Sequence, residues 1–338
     1  FTQKDIWIIP GGSKETSFEG FNILCLDSST EALTKNGWKK YSDLSVGTLI
    51  KTLNHETGSA EWAPIQRMNI FDVEDVPVYY MEGSTHTSVS AEQHKCAVVN
   101  RRGGRKWKTS EPLNSEDMIQ TCATSVDLPK VATHSDDFVE LVAWYMTEGH
   151  RGDSCATVYQ SYTANLPLVE RIRAAYTSVF GSQSPEFPKG PFASRPAAWR
   201  ENRNRNLAEF RMNETMAKEF DAVAPKCVPT YEFINSLTKE QLELFIHVCF
   251  LGDGMDYGKY FAQKNWAMGE LFAYACIQIG KSVSIKAKPV AWVSMRGSSV
   301  RAIISETHYR YKDDPPGVWR PKPVLPDIGP DVPGGGAV

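Results

Sequence analysis

Two short apolar segments, LVAWYMTEG at residues 141–149 and IHVCFLGDG at residues 246–254, decide how this chain of 338 residues is interpreted. Each ends in an acid followed by a glycine, which is typical of a buried helix that stops at the glycine with a carboxylate in its last turn. The carboxyl end of a helix already carries partial negative charge, so Glu148 and Asp253 occupy unfavourable positions. If the two helix ends meet, a proton or a bound cation must neutralise the pair. The pattern therefore predicts a divalent-metal site built by two helices.

The spacing of the two acids indicates a repeated unit, because they lie 105 residues apart (253 minus 148). KCVP at 226–229 and LTKEQLELF at 237–245 lead into the second segment. Together these features resemble the LAGLIDADG homing endonucleases. The resemblance implies two αββαββα repeats whose motif helices pack side by side over DNA. It also implies that Glu148 and Asp253 are the catalytic residues and that they bind Mg²⁺.

Composition describes an ordinary globular protein, with 41% hydrophobic and 23% charged residues. The sequence has no apolar run of the length that spans a bilayer, so we expect no membrane partner. The seven cysteines are odd in number and lack zinc-ligand spacing, a pattern that favours the cytoplasm. The net charge of -3 is low for a nucleic-acid-binding protein, so DNA contacts must come from local basic segments.

Basic side chains concentrate in three places: the loop at 101–108, the stretch at 189–205 with Trp199 inside it, and the segment after the second motif. Such side chains hold phosphates and fix the register of a protein on DNA. A solvated surface is the alternative for the loop and for the isolated lysines. The candidate DNA-contacting residues are Arg101, Arg102, Arg105, Lys106, Lys108, Arg200, Lys226, Lys264, Lys281, Lys286 and Arg301, with Lys288 and Arg296 beside them.

From residue 25 to about residue 100 the pattern changes to short alternating runs separated by Gly, Asn and Asp, which predicts β-strands. Asn36-Gly37 favours a tight hairpin turn. The stretch CLDSSTEALTKNGW at 25–38 resembles the opening of an intein, a self-excising domain with the all-β, horseshoe-like Hint fold. Cys25 stands where the first residue of an intein stands. The segment VSAEQHKC at 89–96 is similar to the Thr-x-x-His motif of that family and nominates His94.

Cys25 and His94 have the chemistry that such a domain needs. A thiol next to a peptide bond can attack the preceding carbonyl, here that of Leu24, and exchange the amide for a thioester. An imidazole that titrates near neutral pH can protonate the departing amide nitrogen. The resemblance thus implies catalytic roles for both residues and a host (extein) sequence attached in cis.

The carboxyl end departs from a complete intein, because no Asn follows Asn265 and the last residues are rich in Pro and Gly. Cleavage at the Leu24–Cys25 junction is therefore the most that we expect of the Hint domain. Residues 1–24 are either a host flank or an arm of the same domain. The expected order is a flank at 1–24, a Hint domain with a basic extension at 25–135, an endonuclease domain at 136–305, and a Hint remnant with a flexible tail at 306–338.

The predicted fold class is α+β, an all-β Hint domain followed by a two-repeat endonuclease domain. Helices are predicted at 138–148, 166–180, 239–251 and 265–279. A strand is predicted at 155–162, and a hairpin with strands at 281–293 and 298–305.

Three functions remain open. The first is an intein-associated, monomeric endonuclease that hydrolyses both strands of a long, asymmetric DNA site. The second is an autoprocessing Hint protein whose LAGLIDADG half is a decayed, non-cutting DNA- or RNA-binding scaffold. The third is a nucleic-acid-binding module without catalysis. The bulky His247 and Val248 in the second motif favour the second function, whereas the presence of both acids favours the first.

Overall fold

The computed structural model describes residues 3–10, 24–26, 31–73, 78–82, 87–91, 95–99, 104–109, 117–119, 122–182, 198–255, 260–287, 291–296 and 302–303. The chain is divided into two compact units. The first unit is formed by residues 1–127, 276–287 and 294–338, and the second by residues 128–275 and 288–293. Within the described ranges, no helix combines the length and the apolar character needed to cross a bilayer.

The first unit is built of antiparallel strands in three sheets. Its largest sheet has six strands in the order β2-β1-β6-β5-β3-β4. A smaller sheet has the order β10-β9-β11-β20, and β7 pairs with β8. The strands are β1 (Gln3–Pro10), β2 (Leu24–Leu26), β3 (Glu31–Thr34), β4 (Gly37–Lys40), β5 (Leu49–Asn54), β6 (Ser59–Val73), β7 (Val78–Glu82), β8 (Thr87–Ala91), β9 (Lys95–Val99), β10 (Arg105–Thr109), β11 (Met118–Ile119) and β20 (Ala302–Ile303).

The hairpin between β3 and β4 corrects the predicted turn by one residue. Lys35 and Asn36 form the turn, and Gly37 is already the first residue of β4. Gly37 adopts a φ of 90°, which a glycine reaches without the steric cost of a Cβ. The Thr34 hydroxyl donates to the Gly37 carbonyl at 2.7 Å and closes the turn. Behind the hairpin, Ala32, Leu44, Ile50 and Ile65 form a small apolar core.

Residues of the predicted host flank take part in the six-stranded sheet. Strand β1 pairs along β6 from Gln3 opposite Val73 to Pro10 opposite Ile65. On its other side it pairs with β2, where Trp7 lies opposite Cys25. Several predicted site residues, namely His94, Arg101, Arg102, Lys288 and Arg301, lie outside the described residues, as does the tail from residue 304 onward.

The second unit alternates helices with antiparallel strand pairs. Its first sheet has the order β12-β13-β15-β14. The elements are α1 (Asp136–Glu148), β12 (Gly149–Arg151), β13 (Ala156–Ser161), α2 (Leu166–Phe180), β14 (Trp199–Asn204), β15 (Leu207–Met212), α3 (Glu214–Val223), α4 (Tyr231–Asn235), α5 (Lys239–Asp253), β16 (Gly254–Met255) and β17 (Tyr260–Gln263). Of the elements that follow, α6 (Trp266–Gln278) and β19 (Ala291–Arg296) are divided between the two units, and β18 (Ser282–Ala287) belongs to the first unit. The described part of the chain is thus a mixed α+β structure with antiparallel sheets.

The four predicted helices are present, and their ends differ slightly from prediction. Helix α1 begins two residues earlier because Ser135 caps it, accepting from the backbone N–H of Phe138. Helix α5 runs to Asp253, so the acid itself is the last helical residue. The predicted hairpin is wrong in its bounds, since its first strand ends at Ala287 and the second occupies 291–296. The residues at 302–303 pair with β11 instead.

The core of the second unit surrounds α1. Nearly all residues of α1 from Val139 to Met146 are buried. The buried acid Glu140 is compensated by a bidentate ion pair with Arg171 of α2, at 2.6 and 2.8 Å, and by the indole N–H of Trp144 at 3.0 Å. Trp199, which lies inside the basic stretch at 189–205, is a core residue whose indole N–H donates to the Gly181 carbonyl.

Candidate active site

Helices α1 and α5 pack against each other in parallel, with their carboxyl ends in close contact. A Cβ added to Gly252 would lie 2.4 Å from Thr147 Oγ1 and 2.7 Å from Thr147 Cβ. Only a glycine allows the two backbones to approach this closely. Val248 is fully buried, whereas His247 is exposed and does not oppose the packing. The bulky second motif is therefore compatible with a tight helix pair.

Each acid is followed by a glycine for a steric reason, and neither glycine has a left-handed conformation. Gly149 and Gly254 have φ values of −91° and −77°, which any residue can adopt. A Cβ at Gly149 would, however, lie 2.0 Å from the Tyr145 carbonyl oxygen, and one at Gly254 would lie 2.2 Å from that of Phe250. The two glycines let strands β12 and β16 begin directly after the helices, which holds each acid at the helix–strand junction.

Glu148 and Asp253 are half-buried, and each accepts a hydrogen bond from a glutamine on the strand pair that follows its helix. Gln160 of β13 donates from Nε2 to Glu148 Oε1 at 3.5 Å. Gln263 of β17 donates from Nε2 to Asp253 Oδ2. The two halves of the site therefore have the same construction: acid, glycine, strand, return strand and glutamine.

The carboxyl groups are costly to ionise in this setting. Burial, followed by the negative charge of Asp253, raises the pKa of Glu148 from 4.5 to about 7. Burial raises the pKa of Asp253 from 3.8 to about 6. The glutamine hydrogen bonds oppose both increases, because they stabilise the charged forms. Because the two charges interact, the protons leave in two steps that belong to the pair of groups together.

Two adjoining carboxylates with raised pKa values form a site that favours a cation. Within the described residues, no group of three or more His, Cys, Asp and Glu side chains could hold a metal ion by itself. Mg²⁺ commonly binds through one or two carboxylates, and waters or substrate phosphates complete its shell. Glu148 and Asp253 fit this kind of shared site, and they do not form a closed structural metal cage.

The candidate DNA contacts are found in several settings. Lys106 and Lys108 on β10 both lie against the buried carboxylate of Asp117, Lys106 at 3.5 Å, so their charges are partly neutralised. Arg105 is exposed at the start of the same strand. Lys226 is exposed on a 3-10 turn and has a φ of 53°. Lys264 is exposed directly after Gln263, and Lys281 is half-buried. The backbones of Lys286 and Arg296 belong to β18 and β19.

Arg200 belongs to a row of polar residues that crosses the sheet β12-β13-β15-β14. Arg200 lies opposite Arg211, Arg211 opposite Thr157, and Thr157 opposite His150. Residues in register on antiparallel strands share a face of the sheet. Tyr159, Glu209 and Asn202 form the next row on this face. The other face carries buried core residues, Val158, Trp199, Phe210 and Met212.

Arg200 and Arg211 place two positively charged side chains directly opposite each other on this face. Like charges directly opposite each other destabilise a strand pair, and a bound anion relieves that repulsion. Neither Arg211 nor the two glutamines beside the acids was identified from the sequence. The alternation of WRENRN and LAEFRM at 199–204 and 207–212 contained the signal for Arg211. The glutamines carry no such signal, because only the folded strands bring them to the acids.

No protein-family model matches the chain, and no curated protein matches it. Two solved structures of the homing endonuclease I-DmoI are similar to it. One, of mesophilic variants, covers 48% of this chain and 88% of its own, with 11% identity and a TM-score of 0.35. The other, of I-DmoI in complex with DNA and Ca, covers 48% of this chain and 83% of its own, with the same identity and TM-score.

Proposed function

We propose that this chain is a metal-dependent endonuclease of the LAGLIDADG type that hydrolyses double-stranded DNA, with Mg²⁺ as its cofactor. The observation that supports the proposal best is the pair of half-buried carboxylates at the ends of two parallel helices. Burial, and then the negative charge of Asp253, raises the pKa of Glu148, so the two acids interact electrostatically. A structural role alone does not account for two acids that destabilise each other in their charged forms, whereas a site that recruits a cation does.

The roles of the residues follow from their chemistry. Glu148 and Asp253 would hold Mg²⁺ through carboxylate oxygens, and Gln160 and Gln263 would orient those carboxylates by donating N–H groups. When bound, Mg²⁺ supplies an activated water and neutralises charge on the attacking and leaving oxygens of the phosphodiester. Exposed Lys264, which directly follows Gln263, would add positive charge near the scissile phosphate.

The polar face of the sheet β12-β13-β15-β14 is our candidate for one DNA-contacting surface. Arg200 and Arg211 would bind phosphates or guanine edges, and Asn202 would provide an amide for hydrogen bonds to bases. The buried apolar side of the same strands holds this face rigid. The net charge of -3 then matters less than the local concentration of arginine.

The decisive experiment is DNA cleavage with Mg²⁺ against a library of random duplexes, with the cut ends identified by sequencing. Wild type is compared with Glu148→Gln and Asp253→Asn, and with Glu214→Gln as a matched control, since Glu214 is an exposed acid paired with Lys218. Recurrent cut sites that vanish with the two site variants and persist with the control would support the proposal. Wild-type protein that binds one sequence tightly without cutting it would instead favour the decayed scaffold.

We also propose cleavage at the Leu24–Cys25 junction as a second activity. The support is the thiol of Cys25, next to a peptide bond, in a segment that resembles the start of an intein. The test is incubation of the full chain with dithiothreitol, followed by mass spectrometry. Release of the 24-residue fragment ending at Leu24, absent in Cys25→Ala, is the expected result. An intact wild-type chain would exclude the activity, and residues 1–24 would then be an arm of the domain.

A further inference from the structure

Gln241 connects the amino ends of the two motif helices. It is the third residue of α5, and its side chain is 3% exposed. Its amide nitrogen donates to the His134 carbonyl at 2.8 Å and to Asp136 Oδ1 at 3.0 Å, both at the start of α1. Its amide oxygen accepts from the backbone N–H of Thr238 in the capping box of α5. Both the amide nitrogen and the amide oxygen of the Gln241 side chain thus form hydrogen bonds at the amino ends of the two helices.

The residues joined by this contact occupy equivalent positions in the two helices. Asp136 lies 12 residues before Glu148, and Gln241 lies 12 residues before Asp253. At the other end, Thr147 and Gly252 each directly precede an acid and are in contact. Equivalent residues therefore meet at both ends of the parallel pair, and the two contacts are about 16 Å apart along the helices at 1.5 Å per residue.

Between these ends the buried residues of the two helices are mostly apolar, for example Val142 and Ala143 on α1 and Phe245 and Val248 on α5. Apolar packing is non-directional and tolerates sliding far better than a hydrogen bond does. A slip by one residue would move one helix by about 1.5 Å and turn it by about 100°. Such a slip would separate the two carboxylates. A buried polar contact can prevent this slip, because fixing the register of paired helices is the best-attested role of buried polar groups.

We infer that Gln241 is a positioning residue: its bond to Asp136 sets the register of α1 against α5 and thereby brings Glu148 and Asp253 together. The consequence for metal binding rests on the proposed function; the effect on register does not. Gln241 itself touches neither the substrate nor the metal.

The matched test is Gln241→Glu in the full chain. Glutamate at this position preserves the capping box, because it can still accept from the Thr238 N–H. It cannot donate to Asp136, and it adds a like charge beside it. The double variant Asp136→Asn/Gln241→Glu reverses donor and acceptor and restores the bond between residues 136 and 241, while the bond to the His134 carbonyl stays lost. Gln241→Met removes the bond without adding charge, which guards against a variant that fails to fold. Thr238→Ala is the control, since it weakens the cap and leaves the cross-helix bond.

Two readouts follow each variant. The first is the nuclear Overhauser effect between the Thr147 methyl group and the Gly252 α-protons, which reports the register at the far end. The second is the affinity for Mn²⁺ as a probe of the acidic site. We expect Gln241→Glu and Gln241→Met to weaken the Overhauser effect and to lower Mn²⁺ affinity about tenfold or more. The double variant should recover both, and Thr238→Ala should change neither.

The inference would be overturned if the Gln241 variants kept the Overhauser effect and only lowered the melting temperature, as Thr238→Ala does. If wild type binds no Mn²⁺ at all, the proposed function fails, and the Overhauser effect alone then decides on the register. The two failures are therefore distinguishable.

Discussion

Thr147 of α1 and Gly252 of α5 touch at the carboxyl ends of two parallel helices, each one residue before an acid of the candidate site. The space between them admits no additional carbon, because a Cβ at residue 252 would lie 2.7 Å from Thr147 Cβ. Because the two backbones approach closely at this contact, the charges of Glu148 and Asp253 lie near each other.

Gly252→Ala should therefore force the helix ends apart. We expect a loss of about 1–3 kcal/mol in unfolding free energy, the usual cost of overpacking a core, and weaker Mg²⁺ binding. Urea unfolding and calorimetric titration measure the two effects. Adding Thr147→Gly removes the side chain that a Cβ at residue 252 would meet and should restore part of the metal binding. A Gly252→Ala protein as stable as wild type would contradict the close approach.

Neutralising an acid should stabilise the protein at high pH while it abolishes cutting. The folded pKa values of Glu148, about 7, and Asp253, about 6, lie above their ordinary values, so the folded state binds more protons than the unfolded state between about pH 4 and 7. These groups therefore reduce stability as pH rises through that window, and their cost is complete at pH 8.

Glu148→Gln removes this cost, and we expect a gain of about 1–2 kcal/mol at pH 8, discounted for its partial exposure. The gain should shrink towards pH 4.5, where the wild-type acid is protonated. Urea unfolding of both proteins at the two pH values measures the difference, and titrating groups that do not interact with Glu148 cancel in the comparison. An equal gain at both pH values would show that the effect has another origin.

Mg²⁺ affinity should rise with pH because the cation competes with protons for the two carboxylates. The raised pKa values place the steepest part between about pH 5.5 and 7.5, with little change above that range. Calorimetric titration at half-unit intervals follows the rise. In Asp253→Asn the residual affinity should be lower at every pH. An affinity that does not depend on pH would exclude the two acids as the ligands.

The two glutamines should support metal binding to a similar degree. Gln160→Ala and Gln263→Ala each remove an N–H donor to a candidate ligand, and we expect each to lower Mg²⁺ affinity or cutting about 10- to 100-fold. The cutting rate under saturating DNA measures the effect. Gln278→Ala, at another buried glutamine, provides a control for general destabilisation. A large loss in only one of the two variants would show that the halves of the site are not functionally equivalent.

The paired arginines should contribute to DNA affinity through phosphate contacts. Arg200→Gln or Arg211→Gln is expected to weaken binding and to reduce the slope of log affinity against log salt by about one unit each. Lys218→Gln serves as the control, because Lys218 pairs with Glu214 along the exposed side of α3. Fluorescence anisotropy at several salt concentrations distinguishes the cases. Unchanged slopes would place the DNA on a different surface.

The sequence by itself determined which segments are helical, although the helix ends differ by up to two residues from those predicted. Apolar periodicity marked α1, α2, α5 and α6, while Ser135 and the Thr238–Gln241 capping box are local signals that start α1 and α5 and act over three residues. It also placed Glu148 and Asp253 in the last turn of two equivalent helices, because the position of each acid at the end of its apolar segment is evident without any knowledge of the fold.

Only the tertiary structure decided what surrounds those acids. Burial raises the pKa values of both acids, and the charge of Asp253 raises that of Glu148 further. Their glutamine partners lie on strands whose register depends on hydrogen bonds between distant segments. The same holds for Trp199, a core residue inside a basic stretch, and for Arg211, whose partner across the sheet is set by strand pairing. Local signals specify which residues form a helix or strand; proximity between residues 105 positions apart exists only once the chain has packed.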